Sequence, residues 1–463
     1  MDFGLATKSA VRLAGRGSRT VTADELRNIL ALHTAFLARA PGGRRAILKF
    51  ANLSGLDLSG VCLAEADLSG ALLQRTLLAH ADLRDATLFG ADLSRANLAD
   101  SCLESADLRG VTLRDANLSR SNMTRIDLRE GMLLASKGGH LQQSHSDAST
   151  SMQGAMMSGA KIRRGRLSNV LLMQADLRDT DLRGSILVRA NLSRADLTGC
   201  NLCGADLTGA NLTGAVLEGA ILTDATVADA TLAGARLLGA LLDGADLSRA
   251  KMAGVVLPQR PTVSITDVLR QHADWIASNG LAGRRADLSG VHLVGVDLSG
   301  VDLSAAQLKG AVLRRAILAR ASLAMADLSL VDARDVDLSG ADLRGARLER
   351  ATLYRAKMTE VQAGPMPIRG HSDWPADLNL ARLASACLTN AVLVRAVLTQ
   401  ADLTAADLRG ADLTGASLAG AILVGANMDR SRLDGADLTD CAGLAAGAGF
   451  AAASASKPVS SSG

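Results

Sequence analysis

From Leu48 to Leu133 a large apolar residue stands at every fifth position without a miss. Most are preceded by Asp or Asn and, two places back, by Ala or another small residue, as in Ala66-Asp67-Leu68-Ser69-Gly70 and Ala205-Asp206-Leu207-Thr208-Gly209. A fixed short period specifies a stacked architecture, in which each unit lies against its neighbours and the chain grows lengthwise. The same register fills four blocks: 48–133, 152–257, 288–358 and 378–438. Within them only Met, Val, Ile and the single Ala333 replace Leu. One slipped residue would exchange an inward side chain for an outward one, so the breaks between blocks are insertions or joints.

Leu and Ala supply nearly all of the apolar content, and 463 residues contain five Phe, two Trp and one Tyr, fewer than an ordinary globular core would use. No apolar run approaches the roughly 18 residues of a membrane span. The basic N-terminus lacks the apolar stretch of a secretory signal, so a cytoplasmic location is expected. Six scattered cysteines do not form a disulfide framework. Cys200 and Cys203 have metal-ligand spacing, but one takes the small inward position and the other an outward one, with no second pair nearby. Residues 1–50 hold nine Lys or Arg against three Asp or Glu, which leaves the remainder slightly acidic.

Two segments change period. Thr22 and Glu25 form a capping pair ahead of Leu26, Leu30, His33 and Leu37, which recur at helical spacing. Ser264 and Asp267 do the same ahead of Val268, Leu269, His272 and Ile276. Each predicted helix is followed by Gly-Arg-Arg-Ala, at 43–46 and 283–286, and then by repeats. Each half is interrupted by a loop carrying His-Ser-Asp seven residues before the register resumes: His145, Ser146 and Asp147 in one, His371, Ser372 and Asp373 in the other. The order implies a tandem duplication. The expected divisions are a flexible basic arm at 1–21, a capping helix and first solenoid at 22–257 with an insert at 136–151, a linker, helix and second solenoid at 258–441 with an insert at 359–377, and a disordered tail at 442–463.

Uninterrupted runs of A-[DN]-L-x-x resemble the pentapeptide-repeat family. The resemblance implies an all-β solenoid, a right-handed quadrilateral β-helix in which four pentapeptides make one square coil, here as two tandem rods each preceded by a short capping α-helix. Leu would fill the axis and Ala would let the wall close around it. Arg44, Arg45, Arg284 and Arg285 are then structural joints, near helix C-terminal carbonyls where a cation is favourable by about 0.3 to 1 kcal/mol.

The chain offers no catalytic constellation. Three adjacent residues on a loop do not converge on one reacting atom, which disposes of His145-Ser146-Asp147 as a triad. His140 adds no complete metal site, and glycines at the repeat corners are not a phosphate loop. No cofactor is expected. Some quinolone-resistance members of the family bind DNA gyrase and imitate B-DNA. DNA carries one charge per about 1.7 Å, so some 80 Å of solenoid would need on the order of 47 negative charges, and this sequence argues against such mimicry. The reading is a non-enzymatic scaffold that presents rigid faces and the two His-Ser-Asp loops to a protein partner the sequence does not identify. Two alternatives stay open: a topoisomerase-binding protein, and a module docking on membrane or nucleic acid through its basic arm. Self-association through an uncovered terminal coil is also open.

Overall fold

The computed structural model describes residues 19–131, 134–137, 140–143, 150–247, 249–255, 264–368 and 372–443. The basic arm up to residue 18, the tail from 444, and His145, Ser146, Asp147 and His371 lie outside the described residues. Contacts divide the chain into two compact units, Met1–Val256 and Leu257–Gly463.

In both units the backbone closes on itself every twenty residues. The residue before each inward side chain forms a parallel bridge to its equivalent one coil on, so that Ile47, Asp67, Thr87, Asp107 and Asp127 make a continuous ladder. Three further ladders start at Asn52, Asp57 and Cys62. The inward residue donates forward, Leu68 N to Thr87 O at 2.7 Å, and the outward residue donates back, Asp67 N to Ala46 O at 3.0 Å. Only one residue per face is bridged, because each corner consumes the rest of the unit. The solenoid therefore consists of ladders of single bridges rather than conventional strands.

Each corner is a tight turn in which the small residue donates to the preceding inward residue, as Ala71 N does to Leu68 O at 3.0 Å. The second corner residue adopts left-handed backbone, occupied by Gly70 at φ +65° but also by Arg75 at +56°. That conformation costs a non-glycine about 1 to 2 kcal/mol. The Arg75 N–H donates to Ser94 O of the next coil at 3.0 Å, so the strained residue is held from both sides. Asp or Asn before Leu serves the same corner. Asp206 Oδ1 accepts the Thr208 N–H at 2.9 Å and its hydroxyl at 2.6 Å, an Asx turn repeated throughout the molecule.

Leu fills the axis; Leu63, Leu68, Leu93 and Leu207 are all 0% exposed. Where Ser or Thr replaces Ala in the wall, its hydroxyl bonds a carbonyl, as Thr76 does with Leu53 at 2.9 Å and Thr180 with Met157 at 2.9 Å.

Three features differ from the sequence reading. Arg19–Thr20, placed in the flexible arm, forms strand β1, which pairs in parallel with β2 (Ala51–Asn52) on the first coil. The first insert holds an antiparallel hairpin of β3 (Leu134–Lys137) and β4 (His140–Gln143), where a loop was expected. The third block runs one unit past Met358, because Ala363 fills the inward position and Gln362 bridges Asp342 and Val392. Both inserts are extruded from an otherwise continuous stack. Asp127 bridges Arg166 rather than a residue twenty further on, and Arg347 bridges Asp377.

Helix α1 (Ala23–Leu37) starts at Thr22, whose side chain accepts the Glu25 N–H at 3.2 Å, and it buries Leu26 and His33 against the first coil. Helix α2 (Ile265–Ala277) packs Ile265, Val268 and Leu269 on the opening coil of the second unit. Ser264 is its N-cap by position but makes no side-chain capping bond.

Candidate functional site

The inward positions are consumed by packing, so chemistry is confined to outward side chains, corners and inserts. Some of the outward carboxylates are answered by arginines of their own repeat, and more of them by the Ser or Thr at the same position, as at Asp92 and Asp412. In Asp-Leu-Arg units the guanidinium folds back across the inward Leu: Arg84 Nε meets Asp82 Oδ1 at 2.9 Å and Nη2 meets Oδ2 at 2.6 Å. The same fork forms at Asp107–Arg109, Asp127–Arg129, Asp176–Arg178, Asp181–Arg183, Asp342–Arg344 and Asp407–Arg409. Hydrogen bonding from Arg84 holds the Asp82 carboxyl below the usual carboxylate range despite its partial burial. Other pairs cross between coils, such as Arg120 with Asp100 at 2.6 Å and Arg249 with Asp229 at 2.7 Å.

The helix-to-solenoid joints are built alike in the two units. His33 Nδ1 accepts the Ala46 N–H at 3.1 Å, and His272 Nδ1 accepts the Ala286 N–H at 3.1 Å; both imidazoles are fully buried. His33 stacks on Phe36 and His272 on Trp275. The flanking arginines act otherwise than expected. Arg45 Nε donates to Glu65 O and Arg285 Nε to Ala305 O, both corner carbonyls of the first coil rather than helix ends. It is the backbone N–H groups of Arg44 and Arg284 that reach helix carbonyls, Leu32 O at 2.9 Å and Gln271 O at 3.0 Å.

Of the six loop residues singled out from sequence, Ser372 and Asp373 are described. Both are exposed, and Asp373 pairs with Arg395 at 3.1 Å. Beside them Trp374, 46% exposed, bridges Met366 antiparallel across the neck of the second insert. Cys200 is buried and Cys203 half-buried, both as free thiols. Among the described residues no group of three His, Cys, Asp or Glu is placed to hold a metal, and no helix is long and apolar enough to cross a membrane.

One cluster escaped the sequence reading. Lys161-Ile162-Arg163-Arg164-Gly165-Arg166 places four cations in six residues, and only Ile162 and Gly165 face inward, so all four charges are exposed on a single coil. The signal was a local excess of cations at outward repeat positions, hidden by a near-neutral total. Arg125 lies one coil before and Arg183 one coil after, and with Thr124, Arg163 and Arg164 they line a shallow recess.

A family model described as pentapeptide repeats (8 copies) matches residues 66–130, 150–257, 284–332, 334–362 and 376–442, more than half of the chain. No curated protein matches. Among solved structures, HetL, a pentapeptide repeat protein involved in heterocyst differentiation regulation from the cyanobacterium Nostoc sp. strain PCC 7120, is 32% identical, covering 52% of this chain and 98% of that one, with a TM-score of 0.29. QnrB1, a plasmid-mediated fluoroquinolone resistance protein, is 15% identical over 51% of this chain and 98% of that one, TM-score 0.23. Rfr23 from the cyanobacterium Cyanothece 51142 is 28% identical over 31% and 90%, TM-score 0.11. With the family match and the twenty-residue ladders together, the chain belongs to the pentapeptide-repeat family of right-handed β-helix solenoids.

Proposed function

We propose that the protein is a non-enzymatic interaction scaffold: two tandem β-helical rods, 22–257 and 258–441, each begun by a capping helix, that present rigid faces and the two inserts to a protein partner. The observation carrying this reading is the division of labour along the repeat. The inward positions are spent on the packed axis and the Asp or Asn before them on the corner, while the remaining outward positions and the inserts differ from repeat to repeat, so recognition is the work left to this surface. The Asp-Leu-Arg forks speak against imitation of DNA, since they cancel acidic charge where a mimic would need it. The His-Ser-Asp segments remain the proposed contact loops.

Affinity capture tests it. The intact chain is compared with one in which 136–151 and 359–377 are replaced by neutral linkers. A partner held by the intact chain and lost by the variant supports the inserts as the contact. Equal capture moves the contact to the rod faces, and failure of the intact chain to retain any protein overturns the scaffold reading.

A further inference from the structure

We infer that the first unit carries a seat for a multiply charged phosphate group at the coil containing Lys161, Arg163, Arg164 and Arg166, completed by Arg125 and Arg183 from the coils on either side.

Stacking brings these residues together. Arg125 and Arg164 occupy the same corner of successive coils, both in left-handed backbone, at φ +60° and +55°. Thr124, Arg163 and Arg183 follow one another in the adjoining outward column. Coils stack about 4.8 Å apart, so three of them spread the guanidinium groups over roughly 10 Å, more than a single small anion spans. Gly165 keeps the wall closed beneath them: a Cβ there would meet Ile162 Cγ2 and Leu167 Cδ1, both at 2.9 Å. The adjacent Ser185 hydroxyl accepts the Gly165 N–H at 3.2 Å and donates to Ile162 O at 2.6 Å. The ridge is thus mounted on a fixed backbone.

The charge is not cancelled in place. Glu104 pairs with Arg125 at 2.7 Å, and Asp181 is shared by Arg163 and Arg183. Those two carboxylates face six cations, and the neighbouring Asp127 is already held by Arg129 at 2.7 Å. Lys161 and Arg164 make no ion pair with any described residue, and Arg166 faces Asp127, its partner in the bridge ladder, whose carboxylate is already forked by Arg129. Other arginines, Arg75 and Arg189 among them, also lack an ion pair with a described residue, but no other six-residue stretch of the sequence holds four cations. Several arginine forks match phosphate oxygens, which accept paired N–H bonds in the geometry that guanidinium presents, while the Thr124 hydroxyl among them is committed to Asn122 Oδ1 at 2.7 Å. The recess is shallow and its lining offers no aromatic platform for bases, which favours a compact phosphate cluster over a nucleic-acid strand. The phosphates can belong to a soluble polyphosphate or to a phosphorylated lipid headgroup; the recognising chemistry is shared.

The test is calorimetric titration of the full chain with inorganic tripolyphosphate at low salt, where screening is weakest. Binding should weaken as salt rises, and Arg163→Gln/Arg164→Gln should weaken it by about tenfold or more at unchanged melting temperature. Arg75→Gln, at an exposed corner of a different column of the first unit, should leave it within about twofold. Vesicles of phosphatidylcholine containing a bisphosphorylated inositol lipid identify the source: binding displaced by tripolyphosphate assigns the seat to a headgroup, and tripolyphosphate binding without vesicle binding assigns it to a soluble ligand. No heat with the intact chain, or equal losses in the two variants, overturns the proposal. So does binding of single-stranded DNA that tripolyphosphate fails to displace.

Discussion

His33 Nδ1 accepts the N–H of Ala46 at 3.1 Å, and the bond replaces one that the first coil has no means to make. Further along the solenoid the small residue donates to the inward residue three positions back, as Ala51 N does to Leu48 O at 3.1 Å. Ala46 is 1% exposed and has no coil before it, so its N–H would be buried without a partner. A buried orphan of that kind costs about 1 to 3 kcal/mol. The helix supplies the missing acceptor from its own side, and α2 does the same with His272 and Ala286 at 3.1 Å. Capping a solenoid is thus a hydrogen-bonding problem as well as an apolar one.

The bond requires a neutral imidazole, and burial pushes both histidines below their ordinary value. The Ala64 carbonyl and Glu65 oppose this at His33, and Asp302 and the Ser304 carbonyl oppose it at His272; Arg45 and Arg285 reinforce it. With the folded value depressed, the unfolded chain takes up protons first. Stability is therefore whole above the unfolded value of about 6.5 and falls as pH drops below it, through the folded value. Melting temperature measured from pH 7.5 to 5 should be flat above 6.5 and decline beneath it. His33→Gln/His272→Gln should remove most of that decline, because the carboxylates titrate lower still.

Leu207 is fully buried on the axis. Leu207→Ala should cost about 2 to 5 kcal/mol, since coils tied above and below by backbone bonds have little freedom to collapse into the cavity. Denaturant unfolding measures it. A loss under about 1 kcal/mol would show that the axis relaxes.

Asp206 tests the corner chemistry. Asp206→Asn keeps an oxygen for the Thr208 N–H and should change stability by less than about 0.5 kcal/mol. Asp206→Ala leaves that corner uncapped and should cost about 0.5 to 2 kcal/mol, as loss of a helix N-cap does. Equal effects would mean that the Asx turn contributes nothing.

Two glycines separate backbone strain from steric conflict. Gly60, at φ +67°, has open space where a Cβ would go, so Gly60→Ala should lose only about 1 to 2 kcal/mol. Gly345, at φ +64°, would place a Cβ 2.6 Å from Met325 Sδ and 2.8 Å from Met366 Cβ. Gly345→Ala should lower the melting temperature further than Gly60→Ala and alter the fluorescence of Trp374, whose bridge to Met366 lies against that glycine.

Much of the fold was legible because the repeat tolerates so little. The inward Leu positions, the α1 face carrying Leu26 and His33, and the Thr22 cap can all be read from spacing and side-chain size. Ala363 was missed because an alanine in the inward column looks like the end of a block, yet the coil closes over it. The joint arginines were misplaced for a related reason. A helix C-terminus is a local feature, whereas the Glu65 carbonyl that Arg45 reaches is twenty residues away and comes within range only once the first coil has turned.

A period of five, with Leu inward, a small residue in the wall and Asp or Asn at the corner, determines a coil by itself, since each requirement is met within one repeat or its immediate neighbour. Which outward residues share a surface is a different matter. The ordinary offset is twenty, but the extruded insert makes Asp127 the neighbour of Arg166 and so sets Arg125 beside Arg164. That offset depends on where the chain leaves the stack and where it returns, and no single repeat carries the information. Period and side-chain size built the solenoid; the closure of the stack across the insert decided where its charges meet.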